Sequence, residues 1–291
     1  MTDGSAKTIV CWGELLWDLF PDQPRLGGAS ANIAYHVAQL GEKAVLVSRV
    51  GKDALGDEAR RRLESAGVGV DFVQVDPEAP TGTVRVEIVD GEPRYEIEAR
   101  AAWDRIEWRE EIAPLVGRAS AVCFGTLAQR QAIGFDVLER ALGCVARQAI
   151  RICDLNIRAP FGTREAIDRA LGLCNVVKLN EAELDVLGKI FGVGDALSWM
   201  IGERGISVVA VTLGARGCLM ARGKERHRVA GVAASAGGDA VGAGDAFAAV
   251  LAQELVRRRS QPLAELGARA NRYAAHVAGQ RGAMPAPPDW I

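Results

Sequence analysis

Short apolar, β-prone runs recur along the chain, separated by segments whose apolar residues fall three and four apart. The runs are TIVCW (8–12), AVLVSRV (44–50), AVCFG (121–125), IRICDLNI (150–157), NVVKLN (175–180) and SVVAVTLG (207–214). Each is too short for a helix, and the pattern predicts buried strands. Between them, Ile33, Ala34, Val37, Ala38 and Leu40 keep a helical spacing that Gly41 closes. Further helices are predicted over 57–66, near 131–148, near 163–173, from about 181, and near 243–258 and 262–279. Strands spaced by helices argue for a mostly parallel sheet covered on both faces.

One segment departs from that alternation. GTVRVEIVDGEPRYEIEA, residues 82–99, alternates with period two on both sides of Asp90-Gly91, which predicts a hairpin. It reads either as an ordinary edge hairpin or as a small lid standing off the main sheet. No internal repeat, low-complexity tract or long linker interrupts the chain, so one domain over 1–291 is expected. A proline-rich tail from Pro285 is expected to wrap the surface.

Composition narrows the function classes. Hydrophobic residues are 49% and charged residues 25% of 291, with a formal net charge of −2. No attraction to nucleic acid or an anionic membrane is expected. The N-terminal stretch lacks the pattern of a signal peptide, and no uncharged run approaches the roughly 18 residues of a membrane span. Six scattered cysteines form no Cys-x-x-Cys pair, and three histidines lie far apart. Free buried thiols in a reducing cytoplasm fit that usage better than disulfides or zinc.

In α/β sheets ligands gather beyond the carboxyl ends of the strands, so four loops carry the candidate chemistry. In GELLWDLF (13–20), Asp18 sits among large apolar residues, as a surface carboxylate or as an acceptor for two neighbouring hydroxyls. In LGGASANIAYHVAQLG (26–41), Gly27-Gly28 opens a helix and Asn32 lies in its first turn. That arrangement suits a tight turn with a local cap, or a close approach to a hydroxyl-bearing ligand. In KLNEAELDVLG (178–188), Asn180 and Glu183 can form a helix cap, or offer hard oxygens to Mg²⁺ held through water and phosphate. In GGDAVGAGDAFAA (237–249), glycines precede the helical spacing Phe247, Val250, Leu251, Leu255. Unpaired N–H groups and the positive end of the helix dipole make an anion site there. Asp245 lies beside it, where a carboxylate can take a proton from an attacking hydroxyl.

Other phosphate motifs fail. Gly51-Lys52 is followed by Asp53 and Gly188-Lys189 by Ile190, so neither is a P-loop. Gly242-Ala243-Gly244 is followed by Phe247 where a dinucleotide fingerprint needs glycine. The protein-kinase catalytic-loop pattern is missing too.

Taken together, the motifs resemble the ribokinase-like sugar kinases, also called the phosphofructokinase-B family. Residues 239–245 read Asp-Ala-Val-Gly-Ala-Gly-Asp against the family's Asp-Thr-x-Gly-Ala-Gly-Asp. Gly27-Gly28 with Asn32, the Asn-x-x-Glu pair Asn180 and Glu183, and Thr212-Leu213-Gly214 match further motifs in order across nearly the whole chain. The resemblance implies a three-layer α/β/α sandwich with a β lid, formed mainly by 82–99 with part of 14–26. It implies Asp245 as catalytic base and the backbone of Gly242, Ala243 and Gly244 as anion hole. Asp18, Gly28 and Asn32 would hold the sugar. Thr212, Gly214 and Asn271 would lie near ATP, with Arg158 on the phosphate side of the cleft. Asn180 and Glu183 would position Mg²⁺ and phosphate largely through water, and Asp239 would sit at a monovalent cation, making potassium activation an expectation.

Two residues depart from the pattern. Ala240 replaces the usual Thr or Ser, and Ser30 stands where fructokinase-like members often have Pro. GGASANIAYHVAQLG, FGTLAQR and DLNIRAPF are most similar to bacterial fructokinases, and the Asp-x-Asn-x-Arg pattern is shared with kinases of 2-keto-3-deoxygluconate. The resemblance therefore implies phosphoryl transfer from Mg-ATP to a primary sugar hydroxyl, with fructose first and 2-keto-3-deoxygluconate or another sugar or nucleoside next. A nucleotide-dependent oxidoreductase and a catalytically silent sugar-binding regulator are the other classes. Missing fingerprints weigh against the first and the intact Asp245 against the second. An exposed lid hairpin has an edge to cover, and pairing with a second lid in a homodimer is one solution.

Overall fold

The computed structural model describes residues 5–20, 23–89 and 92–291. Its strands are β1 (Thr8–Trp12), β2 (Leu16–Leu19), β3 (Pro24–Gly27), β4 (Lys43–Gly51), β5 (Val73–Asp76), β6 (Gly82–Val89), β7 (Glu92–Ile97), β8 (Ala121–Gly125), β9 (Ile150–Asp154), β10 (Val176–Asn180), β11 (Val208–Thr212), β12 (Cys218–Arg222) and β13 (Glu225–Val229). Nine of them form one sheet in the order β13-β12-β11-β10-β9-β8-β1-β4-β5. Neighbours from β11 to β5 pair in parallel, while β12 and β13 add an antiparallel edge.

Helices cover both faces. On one side lie α1 (Ala29–Gln39), α2 (Ala54–Ser65), α8 (Ala243–Arg257) and α9 (Leu263–Ala278). Ile9, Cys11 and Leu46 of the sheet pack there against Ala34, Leu63, Phe247 and Tyr273. On the other side lie α3 (Ile112–Arg118), α4 (Ala132–Gly143), α5 (Arg164–Leu173), α6 (Glu181–Phe191) and α7 (Ala196–Gly202). Val10, Trp12 and Val47 pack there against Leu138, Ile167, Leu187 and Met200. Alternate residues of one strand thus enter opposite cores, which explains why the central runs are apolar without alternation.

The remaining four strands form a second sheet in the order β3-β2-β6-β7. β6 and β7 pair antiparallel from Val84↔Ile97 to Val89↔Glu92, as the period-two pattern predicts. The Asp90-Gly91 turn between them falls outside the described residues. β2 and β3 complete this sheet, Asp18 lying opposite Arg25 on one side and Val84 on the other. The three-layer sandwich with a small β lid is therefore the architecture present.

Element ends differ from the sequence pattern where local chemistry intervenes. α2 starts at Ala54, because Asp53 accepts a hydrogen bond from the Gly56 N–H at 2.8 Å and caps it. The helix near 131–148 stops at Gly143. The run 150–157 leaves the sheet at Asp154, and Asn156 turns away with a φ of 38°. β5, β12 and β13 carry no clear period in the sequence.

Candidate active site

The carboxyl ends of the central strands and the inner face of the lid enclose a cavity of about 400 Å³. β1 delivers its part through Gly13 and Glu14. Gly13 has a φ of 147°, and a Cβ there would meet the Ser30 Oγ at 2.4 Å. That hydroxyl donates to the Trp12 carbonyl at 2.9 Å and fastens the start of α1 to the end of β1. The serine that replaces the usual proline thus does a structural task. Gly28, with a φ of 101°, passes so close to Glu14 that a Cβ would lie 2.5 Å from its carbonyl oxygen.

Two helix starts meet at the cavity floor. Asn32, in the first turn of α1, donates from Nδ2 to Asp245 Oδ2 at 2.7 Å. Asp245 stands in the first turn of α8, whose N-cap Gly242 is left-handed, with a φ of 78°. A Cβ on Gly242 would meet Ala283 at 2.6 Å, so only glycine suits both the turn and the packing. The early N–H groups of a helix have no intrahelical acceptor, so this end presents donors and a positive dipole to the cavity.

Beneath the loop, β9 and β10 place Asp154 opposite Lys178. Lys178 Nζ donates to both carboxylate oxygens, at 3.0 and 3.1 Å. Asp154 is 1% exposed and Lys178 7%. Burial disfavours the lysine's charge, but Asp154, Asp245 and Glu183 together hold its ammonium above the usual range. A Cβ on Gly244 would come within 2.9 Å of Nζ, so the ammonium sits directly under the α8 start. The same surroundings move Asp245. Burial pushes its carboxyl up to about 7, with Asp154 adding to the rise, while Lys178 and the Asn32 hydrogen bond hold it back.

On the lid side, burial pushes Asp18 up to about 6 against the pull of Arg158 and Arg25. Gly27 makes room for it, since a Cβ there would lie 2.3 Å from Asp18 Oδ2.

The cavity wall brings together Asp18, Gly28, Asn32, Arg158, Asn180, Thr212, Asp239, Gly242, Gly244 and Asp245 from the sequence-derived set. Ala243, Glu183, Gly214 and Asn271 do not line it. Gly214 begins a short 3₁₀ turn after β11. Asn271, buried in α9, donates to the Val229 and Ala230 carbonyls at 3.5 and 3.1 Å. Glu183 forms a capping box with Asn180: Asn180 Oδ1 accepts from the Glu183 N–H and Glu183 Oε2 from the Asn180 N–H. Its Oε1 accepts from the Ile157 N–H at 2.7 Å. Burial and Asp154 raise Glu183, and these hydrogen bonds oppose the rise. Lys178 and Glu14 were not singled out from the sequence, and Asp154 and Asn156 entered it only within the Asp-x-Asn-x-Arg pattern. The signal for Lys178 was there, a lysine inside the apolar strand NVVKLN, since a charge buried on both faces requires a partner.

Asp239 is engaged from several directions. Its carboxylate accepts from Arg25 Nη1 at 2.9 Å, from the Gly282 N–H at 3.0 and 3.2 Å and from the Val241 N–H at 3.1 Å. These contacts fit a loop organiser. For magnesium, no group of three or more His, Cys, Asp or Glu side chains among the described residues is placed to hold a metal. Magnesium carried by phosphates and water needs few protein ligands; of the Asn180–Glu183 pair only Asn180 lines the cavity, and both Glu183 oxygens accept from backbone N–H groups.

The pfkB family carbohydrate kinase profile matches residues 7–290. The chain belongs to that family. It is therefore a phosphotransferase with an alcohol group as acceptor. The fructokinase of Escherichia coli is 30% identical over 307 residues, spanning 97% of each chain. The Xylella fastidiosa fructokinase solved with bound ATP superposes with a TM-score of 0.86 at 24% identity, over 98% of this pfkB kinase and 96% of that chain. The Vibrio cholerae fructokinase in its fructose-, ADP- and calcium-bound form gives a TM-score of 0.81 at 25% identity, over 97% and 96%. No helix among the described residues of the kinase is long and apolar enough to cross a membrane.

Proposed function

We propose that this kinase transfers the γ-phosphoryl group of Mg-ATP to a primary hydroxyl of a ketohexose, with fructose as the first candidate. The observation that carries the reading is Asp245, a carboxylate at the donor-rich start of α8 that is hydrogen-bonded to Asn32 on the opposite, α1 side. The names of the similar fructokinases support the choice of sugar.

In this reading Asp18, Gly28 and Asn32 hold the acceptor between lid and sheet. The acceptor hydroxyl oxygen attacks the γ-phosphorus, its proton passes to an Asp245 carboxylate oxygen, and the bond between that phosphorus and the bridging oxygen breaks. The electron pair leaves with ADP. The N–H groups of Gly242 and Gly244 are assigned to the charge on the transferring group, the Ala243 N–H donating instead to the Ala240 carbonyl at 3.4 Å, and positioning with electrostatic stabilisation supplies most of the rate. Lys178, fixed by Asp154, holds positive charge beneath the same loop. Thr212, Gly214 and Asn271 are assigned to the nucleotide end, and Asn180 with Glu183 to the magnesium and phosphate end. Magnesium, when bound, spreads the negative charge of the phosphates. Potassium is left out of this scheme, in which Asp239 organises the loop before α8.

A second acceptor class has a specific observation in its favour. Arg158 lines the cavity, and among the described residues its guanidinium has no hydrogen bond or ion pair. A guanidinium there suits a substrate carboxylate as well as the phosphate to which the resemblance assigns it, so 2-keto-3-deoxygluconate is the alternative acceptor. β3 and β7 are the edges of the lid sheet, and we propose that two lids pair through such an edge in a homodimer, which light scattering after size exclusion would detect.

The deciding experiment is ADP release over fructose, 2-keto-3-deoxygluconate, ribose, adenosine and inositol. Stimulation by fructose above the others is expected. Release that no sugar stimulates would contradict the kinase reading.

A further inference from the structure

Among the described residues, two side chains that line the cavity each carry an enclosed oxygen with no hydrogen-bond partner: Glu14 Oε2 and Asn32 Oδ1. Glu14 is 2% exposed and Asn32 5%. Buried polar atoms are nearly always partnered, and an orphaned carboxyl oxygen is among the most costly to leave. The backbone N–H groups of Glu14 itself and Ala29 face the carboxyl, and Arg158 and Asp154 act on it at longer range. Burial raises Glu14, and the two N–H groups and Arg158 oppose the rise.

The position of Glu14 is fixed by close contacts. It follows Gly13, which is locked against Ser30, and its carbonyl lies against Gly28. The backbone therefore has little freedom to withdraw the side chain. Both unpartnered atoms belong to carboxyl or amide oxygens, and both share one cavity with Asp18 and Asp245. A ligand that supplies hydroxyl donors matches this pattern.

We propose that Glu14 is a specificity-determining residue whose Oε2 accepts a hydrogen bond from a non-reacting hydroxyl of the acceptor sugar, while Asn32 Oδ1 accepts from a neighbouring one. The inference deepens the sugar-kinase reading above and rests on it. It distinguishes Glu14 from Asp245: Asp245 receives the proton of the reacting hydroxyl, and Glu14 reads a hydroxyl that keeps its proton. Loss of Glu14 therefore weakens sugar binding without touching the nucleotide.

The test compares wild type, Glu14→Gln and Glu14→Asp on fructose and on fructoses singly deoxygenated at C1, C3 and C4. Glu14→Gln keeps the shape and replaces one acceptor by a donor. It is expected to raise the fructose KM by about 10- to 100-fold, the loss of one hydrogen bond to a charged group. The KM for ATP should stay the same. One deoxyfructose should be poor with wild type yet suffer no further loss in Glu14→Gln, because the lost hydroxyl and the lost acceptor are partners. A merely structural role would weaken every sugar alike. A folded Glu14→Gln with wild-type fructose KM overturns the inference, as does equal loss on all the deoxyfructoses. If Glu14→Gln fails to fold, Glu14→Asp decides. It retains the carboxyl one methylene short and should raise the fructose KM with the same deoxyfructose pattern, and an unchanged KM contradicts the proposal. Wild type inactive on every sugar would instead remove the sugar-kinase reading, and this inference with it.

Discussion

Asn32 Nδ2 and Asp245 Oδ2 lie 2.7 Å apart, joining the first turns of two helices whose residues are 213 positions apart in the chain. The bond aims the carboxylate and lowers its proton affinity. Asn32→Ala removes both effects and strips a contact from the sugar side. It should raise the fructose KM and move the acid limb of kcat/KM to higher pH. Steady-state kinetics across pH checks this, and an unchanged acid limb would show that the bond does not govern Asp245.

The pH dependence of the wild type follows from the same group. Proton transfer to Asp245 requires its ionised form, and the folded carboxyl sits at about 7. Activity should therefore fall as pH drops through about 7, where an ordinary aspartate near 4 would still be ionised. Lys178 opposes that rise while Asp154, Glu14 and burial promote it. Lys178→Met should shift the limb upward, and a limb that stays in place would contradict the assigned coupling.

Linkage gives a stability counterpart. A carboxyl raised above its unfolded value binds its proton more tightly in the folded state. Stability from that proton is fully present below the unfolded value near 4 and is lost as pH rises through the folded value of about 7. Asp245→Asn, which carries no charge, should melt higher than wild type at pH above about 7 and lose that advantage toward pH 4. Equal melting temperatures at high pH would argue against a strained carboxylate.

Gly27→Ala tests the lid side of the cavity. The added Cβ falls 2.3 Å from Asp18 Oδ2, so the carboxylate must move. A higher fructose KM with little change in the KM for ATP is expected, and equal effects on both would place Asp18 elsewhere in the reaction.

Asp239 makes a prediction about salt. Its carboxylate is held by Arg25, Gly282 and Val241. Replacing potassium by tetramethylammonium at constant ionic strength should leave kcat nearly unchanged. A strong potassium requirement would mean that these contacts give way to a cation.

Much of this was legible in the sequence. The alternation of apolar runs and helical spacings carries the parallel sheet, and the period-two segment around Asp90-Gly91 carries the lid hairpin. Glycines before Ala243 mark the start of α8. What stayed hidden depends on contacts between distant strands. Lys178 and Asp154 meet only through the register of β9 and β10, and Glu14 becomes an enclosed carboxyl only because Gly13 and Gly28 draw α1 onto it. β13 shows no period because ERHRV, at the sheet edge, is too polar.

The central claim is that Asp245 receives the proton of the acceptor hydroxyl. Its most direct test is the kcat of Asp245→Asn on the best sugar, measured beside sugar affinity by calorimetry. General-base loss predicts a fall in kcat of about 10²- to 10⁴-fold with sugar affinity largely kept. A near-normal kcat would contradict the account.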